Sequence, residues 1–429
     1  MSTPAPQADV GHEIETVFRM EYPWLVAGLA RFTGELDLAE ECAQDALLAA
    51  LEQWPREGTP RSARAWLLTV GRRRAVDVFR RNERLRSKYA DLARGLELDG
   101  EGVTPDLDRA LDDDDIDDDL LRLVFVACHP LLAAPARVAL TLRLLGGLTT
   151  AEIARAYLVT EPTIAQRIVR AKRTLSAADV AFEVPAGAER AARLSSVLEV
   201  LYLIYNEGYS ATAGVDWMRP ALCDEALRLG RVLVQLVPDE PEVHGLVALM
   251  EIQSSRSAAR VGPAGDPVLL LDQDRARWDR LLIGRGLAAL ERAEGLGGAE
   301  GPYALQAAIA ACHARAFHPE ETDWARIAGL YAILARVAPS PVVELNRAVA
   351  VSRAVGPQAG LDLVRALAAE PSLRGYHLVS SVSGDLLMQL GRPDEARVEF
   401  ERAARLTRNE RERELSLRRA EEAGRAASA

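Results

Sequence analysis

The sequence predicts an all-α protein, on three observations. Apolar residues recur at helical spacing through residues 12 to 86. A capping pattern and an apolar stripe between Thr149 and Leu175 mark two short helices and a tight turn. From residue 186 onward the chain reads as helix after helix, rich in Ala, Leu and Arg. With 429 residues the chain exceeds what one core usually serves, so two or three domains are expected.

In the first segment Val17, Phe18, Tyr22, Leu25 and Leu29 form one apolar face. Asp37 opens a second helix, DLAEECAQDALLAALEQW, with Leu38, Cys42, Ala46, Leu47 and Leu51 inward. Its other side carries Glu40, Glu41, Gln44 and Asp45. Such a face is either solvated or docked on a basic protein. After a break at Pro55–Pro60 comes SARAWLLTVGRRRAVDVFRRNERLR. Trp66, Leu67, Val70, Val78 and Phe79 supply its core contacts, and Arg72, Arg73, Arg74, Arg80, Arg81, Arg84 and Arg86 make a dense positive surface. Basic side chains beside an aromatic suit a nucleic-acid backbone and unstacked bases.

Residues 87–118 lose periodicity and turn acidic. The block LDDDDIDDDL repels itself and is expected to be an extended or disordered linker. It is either simply solvated or a polyanion that imitates nucleic acid in a basic channel. Helices resume at Leu120 and lead to Gly146–Gly147, which end the last of them.

The stretch TTAEIARAYLVTEPTIAQRIVRAKRTL follows. Thr149 and Glu152 have capping-box spacing, and Ile153, Tyr157 and Leu158 face a core. The chain turns near Val159, Thr160 caps the next helix, and Pro162 falls in its first turn. Ile164, Ile168, Ala171 and Leu175 form one apolar stripe. Thr163, Gln166, Arg167, Arg170 and Arg173 lie well away from it. Gln and Arg read adenine and guanine edges in the major groove, and Arg also binds phosphate. This division of faces is what a helix-turn-helix reader needs; the plain alternative is a solvated basic face on a helix pair.

The order of these parts resembles the extracytoplasmic-function (ECF) sigma factors of bacterial RNA polymerase. The likeness covers roughly residues 12 to 180 and rests on DLAEECAQDALLAALEQW, SARAWLLTVGRRRAVDVFRR and GLTTAEIARAYLVTEPTIAQRIVRAKRTL. It implies sigma region 2 over 12–86, an acidic linker over 87–118 and sigma region 4 over 119–180. Region 2 would bind the clamp helices of the polymerase core through Asp37, Glu40, Gln44 and Asp45. It would melt and read minus-10 DNA through Trp66, Arg73, Arg74, Asp77, Arg80 and Arg81. Region 4 would touch the polymerase flap and read minus-35 DNA through Thr160, Glu161, Thr163, Gln166, Arg167, Arg170, Lys172 and Arg173. The Arg72–Arg74 run is more basic than in many members.

Residues 186–429 are not needed for that architecture. In LLMQLGRPDEARVEFERAARL, Gly391, Ala396, Phe400 and Ala403 match the second half of a tetratricopeptide repeat. PVVELNRAVAVSRAVGPQAGLDLVRAL is a weaker preceding unit, so a degenerate tetratricopeptide-like array is expected. YNEGY (205–209), LDQDRARWD (271–279) and LNRAVA (345–350) resemble the ECF group with a C-terminal extension of this kind, which is associated with small DGPF/YCII-type proteins. That implies control through the appended domain; from its size and apolar faces, residues 186–429 are expected to dock on the chain's own sigma domains or on polymerase.

Composition agrees with this plan. Net charge is −11, from 63 acidic and 52 basic residues, yet the basic ones crowd at Arg72–Arg86 and Arg167–Arg173. Four distant cysteines without CxxC spacing argue against a disulfide framework or zinc site and fit a reducing cytoplasm. No apolar run approaches the length of a membrane span. The histidines show no metal-ligand spacing, there is no glycine-rich phosphate loop, and Asp272, Asp274, Arg275 and Trp278 suit a helix junction better than catalysis. No enzyme activity, cofactor or metal is expected. Two other readings remain at this point: a helix-turn-helix regulator acting without polymerase, and a scaffold with incidental basic patches. The Asp37–Trp54 and Trp66–Arg81 helices separate them, because a simple repressor has no need of either.

Overall fold

The computed structural model describes residues 7–93, 113–263, 265–367 and 370–428. These are helical nearly throughout; among them the only β pairings are the isolated bridges Gly214–Asn409 and Val261–Pro267. The chain divides into two compact units, Met1–Val200 and Leu201–Ala429.

The first unit opens with α1 (Gln7–Thr33), α2 (Leu36–Glu57) and α3 (Ala63–Ala93). The buried face of α2 is made of small residues, Ala39, Cys42, Ala43, Ala46, Ala49 and Ala50, whereas Leu47 and Leu51 are only half-buried. Small side chains let neighbouring helices approach closely. Gly71 of α3 shows how closely: a Cβ there would lie 2.8 Å from Leu29 Cδ1 of α1. Trp66 is partly buried and meets buried Trp54 edge-on at 5.3 Å, so the aromatic expected to face single-stranded DNA also packs on the core.

Next is α4 (Asp113–Ala127). The expectation of an extended linker through residue 118 is corrected here, because the helix starts inside the aspartate run. Carboxylates in a first helical turn are favoured by the partial positive charge of its exposed amides. Residues 94–112, the middle of the expected linker, lie outside the described residues. Asp119 is fully buried and pairs with Arg31 at 3.4 Å and with Arg122. Burial holds its carboxyl above the ordinary carboxylate range, and the two arginines offset only part of that rise.

Helices α5 (Ala134–Leu144), α6 (Thr150–Ala156) and α7 (Glu161–Ala177) complete the expected region 4. Helix α8 (Gly187–Tyr209) follows. The border expected at 186 falls at its start, whereas the units divide at Val200 within it. Before that point Ser196 Oγ donates to Cys128 O at 2.6 Å and accepts from buried Arg137, whose other partner is Glu199 at 2.9 Å. Beyond it Tyr205 Oη donates to Met250 O at 3.0 Å.

The second unit continues with α9 (Pro220–Leu236), α10 (Pro241–Ser254), α11 (Arg280–Gly295), α12 (Pro302–Arg315) and α13 (Trp324–Val337). It ends with α14 (Pro341–Ala354), α15 (Pro357–Leu367), α16 (His377–Gln389), α17 (Pro393–Leu406) and α18 (Glu410–Ser428). Proline opens many of these helices, where its missing N–H is not needed. Helices α10 and α12 are buried all round, from Val243 to Ile252 and from Ala307 to Ala314, so neither shows an amphipathic pattern. Gly391 turns between α16 and α17 with φ 69°. Ala396, Phe400 and Ala403 of α17 are buried, at the positions the repeat pattern assigns.

Candidate nucleic-acid interface

Two exposed polar surfaces stand out in the first unit. The first is on α7. The capping box at the start of α6 is complete: Thr149 Oγ1 accepts from Glu152 N at 3.2 Å, and Glu152 Oε2 accepts from Thr149 N at 2.8 Å. Leu158 then takes φ 50°, which reverses the chain within the tight turn. Ile164, Ile168, Ala171 and Leu175 are buried, as their spacing predicts. Gln166, Arg170 and Arg173 are exposed, with Thr163 and Arg167 half-buried beside them. Thr160 is the N-cap residue, but its hydroxyl pairs with that of Thr163 at 2.8 Å instead of accepting from the backbone. Glu161 accepts from the Thr150 hydroxyl at 2.9 Å, tying the second helix to the first. Lys172 differs from its neighbours: its ammonium turns away from the free face to Asp37 and Glu40 of α2.

The second surface is on α3. Arg73, Arg74, Asp77, Arg80 and Arg81 are exposed along it, and Arg74 reaches Asp45 only loosely, at 4.0 Å. Arg72 is not part of this row. It is half-buried with its guanidinium 5.8 Å from the Phe32 ring centre, and burial lowers its pKa. Arg84 and Arg86 lie outside the described side chains.

On α2, Asp37 and Gln44 are exposed and Asp45 is half-exposed, but Glu40 is 6% exposed. Its carboxylate accepts from Tyr22 Oη at 2.8 Å and Arg143 Nε at 2.8 Å, and pairs with Lys172. Burial and the Glu40 charge together push the Tyr22 phenol well above its ordinary range, so it remains a donor.

Comparison with known proteins follows the same division. Residues 17–85 match the family described as Sigma-70 region 2, and residues 122–175 match Sigma-70, region 4. The ECF RNA polymerase sigma factor SigL of Mycobacterium tuberculosis is 32% identical over 149 residues, covering 34% of this chain and 76% of SigL. The chain belongs to the ECF RNA polymerase sigma factors. Sigma factors are initiation factors and not enzymes, so this one serves promoter-directed transcription by binding polymerase core and promoter DNA. The sigma factor is also similar to the uncharacterized protein R00370 of Rhizobium meliloti, 46% identical over 387 residues and 90% of each chain. Residues 193–294 match a family of unknown function, DUF6596. No solved structure matches the chain. Among the described residues no helix is long and apolar enough to cross a membrane.

The stretch matched to DUF6596 contains a feature of which the sequence shows only the Arg275–Trp278 part. Arg256, Arg260 and Arg275 are all buried. Arg260 stacks 3.4 Å from the Tyr209 ring centre and 4.6 Å from that of Trp217, and donates to Tyr209 O at 2.6 Å. Arg256 donates to Tyr209 Oη at 2.6 Å. Arg275 donates to His313 O at 2.9 Å, Ala316 O at 2.8 Å and Thr322 Oγ1 at 3.1 Å. Each of these partners is a carbonyl, a hydroxyl or a ring face, which suits a weakly hydrated guanidinium. Burial, then Arg256 and Arg275, depress the His313 pKa to about 3 and keep that imidazole neutral. YNEGY and LDQDRARWD, far apart in sequence, thus supply Tyr209, Arg275 and Trp278 to one arginine–aromatic junction. Asp274 and Asp279 serve as N-caps, of the 3-10 turn Arg275–Arg277 and of α11.

Proposed function

We propose that region 4 reads minus-35 DNA with α7, that α3 binds and melts the minus-10 element, and that α2 docks on the polymerase clamp helices. We further propose that the helical extension after Val200 sets whether transcription starts. The observation that carries the first reading is the division of α7 between a buried stripe and an exposed Gln166–Arg170–Arg173 face. A helix held on one side and free on the other fits a major groove. The exposed basic row of α3 supports the second reading, because it tracks a phosphate backbone with few internal partners. A flap contact of region 4 and a cytoplasmic location belong to the same reading. The four cysteines are free and buried, which suits a reducing compartment.

Run-off transcription with purified core polymerase tests the assignment. Arg167→Ala or Arg170→Ala is expected to cost roughly 1–3 kcal/mol of promoter affinity where the side chain holds a base in bidentate fashion, with relaxed minus-35 preference. A phosphate contact would weaken all sequences alike. Unchanged promoter binding by both variants would remove α7 from the minus-35 groove.

Ending the chain at Val200 tests the role of the extension. The cut is placed there and not at 186 because Ser196 and Glu199 satisfy buried Arg137. The shortened protein is expected to bind core polymerase and to transcribe at an altered level. Transcription of equal strength and regulation by both forms would leave the extension without a role in initiation.

A further inference from the structure

The arginine–aromatic junction of the second unit carries positive charge that its own residues do not balance. Arg256, Arg260 and Arg275 are 9%, 5% and 5% exposed, and among the described residues none of them pairs with a carboxylate. Glu251, the buried carboxylate that precedes them in sequence, pairs with Arg231 and Arg285 instead. Buried arginine is ordinarily paired, because desolvating a cation without a counter-charge is costly. Burial, and then the Arg256 charge, lower the Arg275 pKa, and exposed Glu320 and Glu321 offset only part of this from the surface.

Donors without acceptors gather around the same cations. Arg256 Nε, Arg275 Nε and Trp278 Nε1 are buried without a hydrogen-bond partner, and so is His313 Nδ1, a fourth donor in the tautomer protonated there. One indole connects them. The Arg256 and Arg275 guanidiniums lie 5.7 Å and 5.1 Å from the Trp278 ring centre, and Arg275 donates to the carbonyl of His313 at 2.9 Å. Water can serve such donors but brings no charge, whereas an anion supplies both acceptors and counter-charge. The surroundings are held in place beforehand. Fully buried Asn409 donates to Ala211 O at 3.1 Å and Asp216 O at 2.9 Å, which pins the loop between Tyr209 and Trp217.

We propose that Arg256, Arg275, Trp278 and His313 form a binding site for an oxyanion, the carboxylate or phosphate group of a small ligand. The two guanidiniums supply charge and N–H donors, and the indole and the imidazole supply one N–H each. Arg260, stacked on Tyr209 and Trp217, adds to the positive field. A neutral or cationic ligand would leave that field unbalanced. The helical extension is thereby a ligand-binding domain. The proposal is independent of the tasks assigned to α2, α3 and α7, and of any control of initiation, because binding is read on the free protein.

Thermal unfolding and isothermal titration of the full chain test this, with sodium chloride, inorganic phosphate and succinate compared at equal ionic strength. Arg256→Met removes one cation and keeps its apolar stem. Trp278→Phe keeps an aromatic ring and removes the indole donor. Phosphate or succinate is expected to raise the native midpoint by about 5–10 °C at a hundredfold excess over its Kd, and the rise should saturate. Whichever anion binds more tightly tells a phosphate ligand from a carboxylate. Arg256→Met is expected to weaken binding at least about tenfold, the loss of a charge-assisted contact, and Trp278→Phe about fivefold, the loss of a neutral one. Stabilisation by general exclusion of phosphate from the surface does not saturate and is shared by native protein and variants. The site is overturned if neither anion gives a saturable response in the native protein, or if Arg256→Met binds the anion as tightly as native. Should Arg256→Met not fold, equal affinity of Trp278→Phe and native protein overturns it.

Discussion

Phe400→Asp is expected to unfold the repeat formed by α16 and α17. The ring is 1% exposed, and a Cβ added at Gly384 would come within 2.6 Å of it, so the two helices are in van der Waals contact through this side chain. The Arg419 guanidinium lies 4.5 Å from the ring centre. Aspartate would replace a large apolar side chain by a smaller charged one, leaving both a cavity and a carboxylate in an apolar site. The two effects together are worth several kcal/mol, of the order of a whole domain's stability. Neighbouring repeats bury their faces only against each other, so loss of this one should spread to α15 and α18. Thermal melting followed by circular dichroism, with limited proteolysis to map the loss to the second unit, provides the measurement. Phe400→Leu keeps the site apolar and should cost much less. Native-like melting of Phe400→Asp would mean that α17 does not depend on this contact.

The second large effect is expected at Arg275. Its guanidinium joins three acceptors on the segment from His313 to Thr322 and lies 5.1 Å from the Trp278 ring centre. Arg275→Ala would leave three buried oxygens without their donor and a cavity beside the indole. Buried hydrogen bonds to a charged group are among the stronger ones, and removing one partner strands the others, so a loss of about 3–5 kcal/mol is expected. Arg275→Lys should rescue little, because one ammonium on a flexible stem cannot reproduce the planar fork. Denaturant unfolding of the three proteins measures this. An unchanged midpoint in Arg275→Ala would show that the junction is held by packing alone.

What was legible in the sequence was local. The capping box at Thr149, the stripe through Ile164 and Leu175, and the Gly391–Ala396–Phe400 spacing each depend on residues within a few turns. Their chemistry acts at that range, so pattern suffices. The aspartate run was misleading because mutual repulsion was weighed without the helix that begins inside it. The acidic face of α2 was read correctly as acidic, but Glu40 was expected at the surface. Its burial is decided by Arg143 and Lys172, and no local pattern announces partners so distant. Arg275 and Trp278 are legible as a helix junction, but the burial of Arg256 and Arg260 beside them is not, for a related reason. Arginine at the end of a helix ordinarily points to solvent, and it is the convergence of Tyr209, Trp217, Trp278 and the oxygens of the His313–Thr322 segment that gives these three somewhere else to go.

The division of the chain inside α8 has a consequence for its synthesis. Residues through Val200 leave the ribosome first, and they include Ser196 and Glu199, which complete the surroundings of Arg137. The remainder, Leu201 to Ala429, is more than half of the chain. At roughly 5–20 residues per second its translation takes on the order of tens of seconds, and domains generally fold as units in the order of their emergence. Each newly made molecule therefore passes through an interval as a finished promoter-reading half still tethered to its messenger. During that interval the control proposed for the extension is not yet in place, and the nascent half holds together through the core and the ionic contacts of its own helices.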